Sequence, residues 1–458
     1  MYEQDTIAAI ATPPGEGSVA IVRISGIDAE KISTQIFARS QRKNGKLKSH
    51  ILYHGSIRDP RTEHVLDEVL LTIMRRPRSY TGEDVVEIHC HGGAFLVRQI
   101  LGLVLAQGAR QAEPGEFTKR AFLNGKIDLA QAEAVLDLIR AKTAKAAELA
   151  LNQASGELST LVQELREELL DILVQVEAAI DFPEEEVELL QRRQLIERIG
   201  GLRTKICTIS DTYDWGRLFR EGAKVCICGS PNVGKSSLLN ALVGADRVIV
   251  TPIPGTTRDV IEESINLNGL PVVLWDTAGL RETNDHVEQI GVNLTRQYLD
   301  KADALIVVFD GSLPLTENDR SVLESVGRKK YLIAINKNDL PQKLTVDEIR
   351  DDGNKASTVL VSAKSGEGID LLKSTLREVI LNHQAEPSIT VTNVRHRSEL
   401  LRGGSSLSRA IETASENLPP EFVAVDLLEA REALEEIVGM VSNDEILERI
   451  FRNFCIGK

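Results

Sequence analysis

The sequence predicts a multidomain α/β protein: an α+β amino-terminal domain (1–125), a discontinuous helical domain (126–221 and 381–458), and an α/β domain (222–380) inserted between its two parts. Three observations carry this expectation. At 458 residues the chain is too long for one hydrophobic core. A helical texture of Ala, Leu, Glu, Gln and Lys runs from Leu129 to about Phe219 and returns from Ser398 to Phe451. Between these stretches, apolar runs alternate with helical patterns from Gly222 to about Ile380, as in successive βα units.

Composition narrows the class. Hydrophobic residues at 42% with charged residues at 27% describe an ordinary globular chain. Aromatic residues at 4% argue against a stacking platform for single-stranded nucleic acid, and a net charge of −14 argues against a broadly basic surface. Any RNA contact is therefore expected to be focal or shared with a partner. The five cysteines, Cys90, Cys207, Cys226, Cys228 and Cys455, are odd in number and lack C-x-x-C spacing, so they read as free thiols in a reducing compartment. Met1–Asp5 has neither a basic start nor an apolar core, and no run approaches the roughly 18 apolar residues of a membrane helix, so a cytoplasmic protein without a membrane partner is expected.

In chain order, Thr6–Ala11, Ser18–Ile24, Glu68–Met74 and Asp84–His89 read as strands. Pro13–Gly17, His89–Gly93 and Pro114–Thr118 read as turns, because glycine and proline are the usual turn residues. His89 and His91 bracket Cys90, but without further ligands at metal spacing a turn is expected rather than a zinc site. Leu129 to about Val176 reads as long amphipathic helices, and Asp181–Glu186 as a helix break followed by a solvated acidic helix start.

The inserted domain carries the chemistry. Its stretch Gly229-Ser230-Pro231-Asn232-Val233-Gly234-Lys235-Ser236-Ser237 follows the apolar run Val225–Cys228 and opens into Leu238–Leu242, giving strand, glycine loop and helix in the order of a phosphate site. Backbone N–H groups at such a loop converge on phosphate oxygens, Lys235 reaches the β/γ-phosphates, and Ser236 offers its hydroxyl to Mg²⁺. Gly255-Thr256-Thr257-Arg258 supplies two hydroxyls able to complete the Mg²⁺ shell when a γ-phosphate is present. The apolar run Val272–Trp275 delivers Asp276-Thr277-Ala278-Gly279, a carboxylate near the Mg²⁺ and a glycine N–H beside the γ-phosphate. Tyr331–Ile335 delivers Asn336-Lys337-Asn338-Asp339, whose terminal carboxylate accepts the N1–H and N2–H₂ edge of guanine, which adenine does not offer. Val359–Val361 leads to Ser362-Ala363-Lys364, with backbone N–H groups for the guanine O6.

These five motifs in this order resemble the Ras-like GTPases. Leu280 follows Gly279 where such enzymes usually carry the glutamine that orients water. That departure, with Ala11–Gly15, Tyr80–Asp84, Pro114–Phe117, Ala121–Lys126 and the terminal Phe454–Lys458, makes the whole chain similar to the TrmE-Era class and within it to the MnmE (TrmE) family of tRNA-modification GTPases.

The resemblance implies a homodimer whose amino-terminal domain binds 5-formyltetrahydrofolate or a related reduced folate through Arg23, Glu87, Lys126 and Lys458. It implies action with the flavoprotein MnmG to add an aminomethyl-type (carboxymethylaminomethyl) group at C5 of the wobble uridine of certain tRNAs. The GTP-contacting residues carried over are Asn232 to Ser237, Thr251, Pro252, Ile253, Pro254, Gly255, Thr256, Thr257, Asp276 to Gly279, Asn336, Lys337, Asp339 and Ser362 to Lys364. Ser236 and Thr257 are the implied Mg²⁺ ligands, and Asn232, Thr251, Ile253 and Thr256 are implied to hold K⁺. Glu288, Thr257 and Gly279 are the implied catalytic residues, and Cys455 is a possible redox or catalytic thiol. The alternative is a GTPase switch for ribosome assembly or factor recruitment. Relatives of that kind are expected to append a basic RNA-binding module, and the acidic helical flank here favours the first reading.

Overall fold

The burial pattern of one strand shows how the first sheet is organised. In the strand Val85–Gly92, Val86, Ile88 and Cys90 are buried, while Glu87, His89 and His91 point to the other face. The computed structural model describes residues 5–40, 46–181, 189–244, 262–276, 298–327, 329–351, 356–382, 386–441 and 444–458. The chain divides into two compact units: Met1–Leu136 with Gln153–Arg166 and Glu432–Lys458, and Asp137–Asn152 with Glu167–Arg431.

The first unit contains β1 (Ile7–Ile10), β2 (Gly17–Ser25), α1 (Ala29–Ile36), β3 (Phe37–Arg39), β4 (Leu52–Arg58), β5 (Val65–Met74), β6 (Val85–Gly92), α2 (Ala94–Ala106), β7 (Arg110–Gln111) and α3 (Glu116–Leu123). The sheet order is β3-β4-β5-β6-β2-β1-β7, antiparallel except where β1 meets β7. Its core joins Val22, Ile24, Val86 and Ile88 to Ile32 and Ile36 of α1 and to Ile100 and Val104 of α2. Register then decides the opposite face: Arg23 lies opposite Glu87 in the β2–β6 pair, so one ionic pair sits on a single sheet face.

The sequence reading differs from this sheet in two places. His89–Gly92, expected as a turn, are the last residues of β6, because pairing with β2 continues through Cys90 and ends at Gly92 opposite Gly17. Strands β3, β4 and β7 were not anticipated. The first pairs with β4 where Gly55 lets the Phe37 ring approach, and a Cβ at Gly55 would lie 2.5 Å from that ring.

Three further helices begin in sequence here: α4 (Leu129–Arg140), α5 (Ala144–Ala154) and α6 (Glu157–Asp181). The second unit then holds α7 (Leu189–Asp211), α8 (Tyr213–Glu221), β8 (Ala223–Cys228), α9 (Lys235–Val243), β9 (Glu262–Leu267), β10 (Leu270–Asp276), β11 (Ala304–Asp310), α10 (Glu317–Val326), β12 (Tyr331–Asn336), α11 (Val346–Asp351), β13 (Thr358–Leu360), α12 (Ile369–Leu381) and α13 (Val394–Ser415). The chain continues through α14 (Pro420–Val438) to α15 (Asp444–Phe451).

The second sheet has the order β13-β12-β11-β8-β10-β9, parallel except for β9 against β10. Ala304–Phe309 of β11 are all buried, as expected of a parallel strand covered on both faces. Connections diverge on either side of β8, between β11 and β10, and in such sheets ligands bind outside the carboxyl ends at that point. Helices before and after the α/β segment pack on each other: Arg203 Nε of α7 donates to Ser408 Oγ of α13 at 2.6 Å. The chain also enters and leaves the segment at neighbouring points. Val391 N donates to Thr212 Oγ1 at 3.0 Å, and a Cβ on Gly216 would lie 2.3 Å from Val391 O. That proximity is the physical condition for an inserted domain.

Residues 432–458, grouped by the sequence reading with the second helical segment, pack in the first unit. Leu447, Phe451 and Phe454 share a cluster with Leu129, Ala132 and Leu136. Each buried phenylalanine contributes about 1.5–3 kcal/mol, enough to hold a short terminal segment in place.

Candidate functional site

The phosphate loop follows β8, and its shape depends on residues without bulk. Gly229 has φ +152°, and a Cβ there would lie 2.4 Å from Val308 O. Gly234 has φ +95°, and a Cβ there would meet Asn336 Nδ2 at 2.4 Å. Helix α9 begins at Lys235, so its amino-terminal end faces the loop, the arrangement that suits an anion. Lys235 Nζ donates to Gly229 O at 3.0 Å and Ser230 O at 2.9 Å, which places the ammonium across the loop mouth. Ser236 and Ser237 lie exposed in the first turn of the helix.

The two loops expected to read the base converge on this loop from the ends of β12 and β13. Asn336 is 2% exposed; its Nδ2 donates to Val233 O at 2.9 Å, and its Oδ1 accepts from Ala363 N at 3.0 Å. One amide therefore joins the phosphate loop to the Ser362–Lys364 loop. Asp339 is exposed, and its Oδ1 accepts from Ser362 Oγ at 2.7 Å. That hydroxyl is the main reason the Asp339 carboxyl is held below the usual carboxylate range, leaving an ionised acceptor suited to two guanine N–H donors. Lys337 Nζ donates to Asn232 O at 3.1 Å and pairs with Asp310 Oδ2 at 2.6 Å. Burial pushes the Asp310 carboxyl up, but the Lys337 ammonium and Ser312 outweigh it and hold the carboxyl low.

Asp310 was missed by the sequence reading, although a signal existed. It closes the apolar run Ala304–Phe309 as Asp276 and Asn336 close theirs. Ser230 and Asp319 were missed too; Ser230 Oγ donates to Asp319 Oδ1 at 2.6 Å, a link between sequence-distant residues.

Asp276 ends β10 in register with Ile227. The other half of the expected site lies outside the described residues: Thr251, Pro252, Ile253, Pro254, Gly255, Thr256, Thr257, Thr277, Ala278, Gly279, Leu280 and Glu288.

A second constellation lies in the first unit, where the chain terminus is stitched to the sheet. Pro114 bridges Ile456, Phe117 N donates to Lys458 O at 3.2 Å, and Arg23 Nη1 donates to Gly457 O at 3.3 Å. Gly457 has φ +98°, and a Cβ there would lie 2.3 Å from Ile10 O, so only glycine fits this seat. Arg23 Nε donates to Glu87 Oε1 at 2.9 Å, and its guanidinium lies 5.7 Å and 5.6 Å from the Tyr80 and Phe117 ring centres. His89 Nε2 is buried without a hydrogen bond, although Glu87 Oε2 is 3.4 Å away, and it is an open polar position beside that pair. Arg23, Glu87 and the Gly457–Lys458 backbone are thus brought together. Lys126 follows α3, and its Nζ donates to Pro77 O at 3.0 Å.

Cys455 is the one exposed cysteine of the five and lines a cavity of about 440 Å³ with Thr12, Pro13, Arg98 and Gln111. By contrast, burial pushes the Cys90 and Cys228 thiols up to about 11 and about 12, which makes them poor nucleophiles. Among the described residues, no helix is long and apolar enough to cross a membrane, and no group of three or more His, Cys, Asp or Glu is placed to hold a metal.

Comparison with known proteins agrees with this pairing of a nucleotide loop and an amino-terminal sheet. The family model described as the MnmE helical domain matches residues 129–455, and that described as the GTP-binding protein TrmE N-terminus matches residues 6–126. The tRNA modification GTPase MnmE of Natranaerobius thermophilus is 46% identical over 457 residues, covering 99% of this chain and 100% of that protein. The protein of the same name from Alkaliphilus oremlandii is 47% identical over 461 residues, covering 100% of both. With one family model spanning most of its length and relatives of this identity spanning all of it, the chain belongs to the MnmE family of tRNA-modification GTPases.

Proposed function

We propose that this GTPase acts in the cytoplasm as a homodimer and, with the flavoprotein MnmG, adds an aminomethyl-type group at C5 of the wobble uridine of certain tRNAs. In this reading residues 1–125 dimerise and bind a reduced folate, 222–380 bind and hydrolyse GTP, and 126–221 with 381–458 link the two. The observation that carries it is the seat of the carboxy terminus: Gly457 O on Arg23 and Lys458 O on Phe117 build one polar site from both ends of the chain. A GTPase that only recruits factors has no need of such a site. The test is mass spectrometry of tRNA nucleosides from cells lacking the chain. Loss of the C5-modified wobble uridine is expected, and an unchanged nucleoside profile would overturn the assignment.

The residues present suit a reduced folate. Glu87 offers a carboxylate to a pterin N–H edge, His89 Nε2 is an open polar atom beside it, and Arg23, Lys126 and Lys458 supply cations for carboxylates. When bound, 5-formyltetrahydrofolate would supply a one-carbon unit there. Deleting Lys458 is expected to weaken folate binding by about 1.5–3 kcal/mol, the contribution of one charge-assisted contact. Calorimetry on full-length and truncated chains measures this, and equal affinities would remove the terminus from the site.

In the G domain, Ser236 and Thr257 would hold Mg²⁺, while Asn232, Thr251, Ile253 and Thr256 would hold K⁺. The exposed Asn232 amide is a neutral oxygen donor suited to a large, weakly held cation. Glu288 would orient the attacking water, since Leu280 lacks the polar group for that task. Cys455, exposed at its cavity, is the thiol available for redox or nucleophilic work.

A further inference from the structure

Two non-glycine residues in the nucleotide loops have left-handed backbone, Asn232 at φ +64° and Lys337 at φ +66°. Side chains with a Cβ disfavour this region, and such residues persist only where their surroundings hold them. Here they hold each other, through the 3.1 Å hydrogen bond from Lys337 Nζ to Asn232 O. The ammonium is itself anchored by Asp310, whose side chain is 9% exposed. Asp310 in turn is fixed by its own turn, where Oδ1 accepts from Ser312 N at 3.0 Å and Ser312 Oγ at 2.6 Å. The chain of contacts therefore runs from the end of β11, through the base-reading loop, to the crest of the phosphate loop.

We propose that Asp310 is a positioning residue for GTP hydrolysis, which through Lys337 holds Asn232 left-handed and so aims its amide at the monovalent-cation site. The aim of that amide rests on the potassium reading above; the hold on the phosphate loop does not. Without the Asp310 charge, the Lys337 ammonium, 32% exposed, turns toward water. Asn232 O then loses its donor, the residue relaxes toward ordinary backbone, and its side chain swings away from the cation.

The test uses the full-length chain with Asp310→Asn, which keeps an acceptor but removes the charge, and Asp310→Glu, which keeps the charge on a longer stem. Two quantities are measured: the KCl concentration for half-maximal GTP hydrolysis and the dissociation rate of mant-GDP. For Asp310→Asn, about a tenfold rise in both is expected, the fold-change of one charge-assisted contact, with Asp310→Glu lying between it and the parent. If Asp310→Asn does not fold, a several-fold shift in Asp310→Glu at unchanged melting temperature supports the proposal, and no shift overturns it. Slower hydrolysis with an unchanged KCl midpoint marks a merely structural role and also overturns it. Should the parent hydrolyse GTP equally in KCl and NaCl, the potassium reading falls. The mant-GDP rate then decides alone: faster release in Asp310→Asn supports the hold on the loop, and an unchanged rate ends it.

Discussion

Hydrolysis of GTP by this chain is expected to be faster in KCl than in NaCl at matched ionic strength by on the order of 10³, the lower end of what an inserted arginine contributes in enzymes that use one. Charge builds on the phosphoryl oxygens in the transition state, and some cation must meet it. The sequence has Leu280 where a water-orienting glutamine is usual and shows no arginine finger by motif. Asn232 stands at the crest of the phosphate loop with its backbone carbonyl already engaged by Lys337, which leaves its side-chain oxygen for a cation. A monovalent ion there acts most strongly if two G domains close and exclude water, because Coulomb energy rises as the dielectric falls. Association of the domains with GDP and aluminium fluoride should therefore require K⁺. Equal rates in the two salts, or K⁺ stimulation intact in Asn232→Ala, would sink the mechanism and leave the GTPase assignment standing.

Asp339→Asn is expected to shift preference from GTP toward xanthosine triphosphate. The amide donates to the carbonyl that replaces the guanine 2-amino group, while GTP loses a charge-assisted pair of about 2–3 kcal/mol, roughly 30- to 150-fold in affinity. The substitution is conservative for the loop: Ser362 Oγ, which donates to Asp339 Oδ1 at 2.7 Å, finds an amide oxygen in the same position. The change should therefore appear in base selectivity and leave the melting temperature within about a degree or two of the parent. Competition binding with the two nucleotides settles it, and an unaltered preference for GTP would remove Asp339 from the base site.

Much of the nucleotide site was legible because parallel strands buried on both faces read as unbroken apolar runs, and function sits where those runs stop. Cys228, Trp275, Ile335 and Val361 were found in this way, and each is followed by a residue of the candidate site. Asp310 obeys the same rule and was overlooked because it belongs to no named motif; only its ion pair with Lys337 marks it. The amino-terminal sheet was less legible. Strands β3, β4 and β7 are short or polar, and what makes them strands is pairing with segments far away in sequence.

The sequence by itself determined the kind of nucleotide, because base and phosphate recognition are written in contiguous loops whose residue types have few other uses together. It also set the expectation of one domain inserted into another, since helical and βα textures differ in period. The resemblance grouped Lys458 with Arg23, but only the tertiary structure decided that the Gly457 carbonyl is the group that meets Arg23. That contact joins positions 434 residues apart, and no local pattern encodes it. Only the tertiary structure, likewise, tied Asn232 to Lys337 and Asp310. Hydrogen bonds between loops depend on where strands end relative to one another, and sheet register sets that in space rather than in sequence.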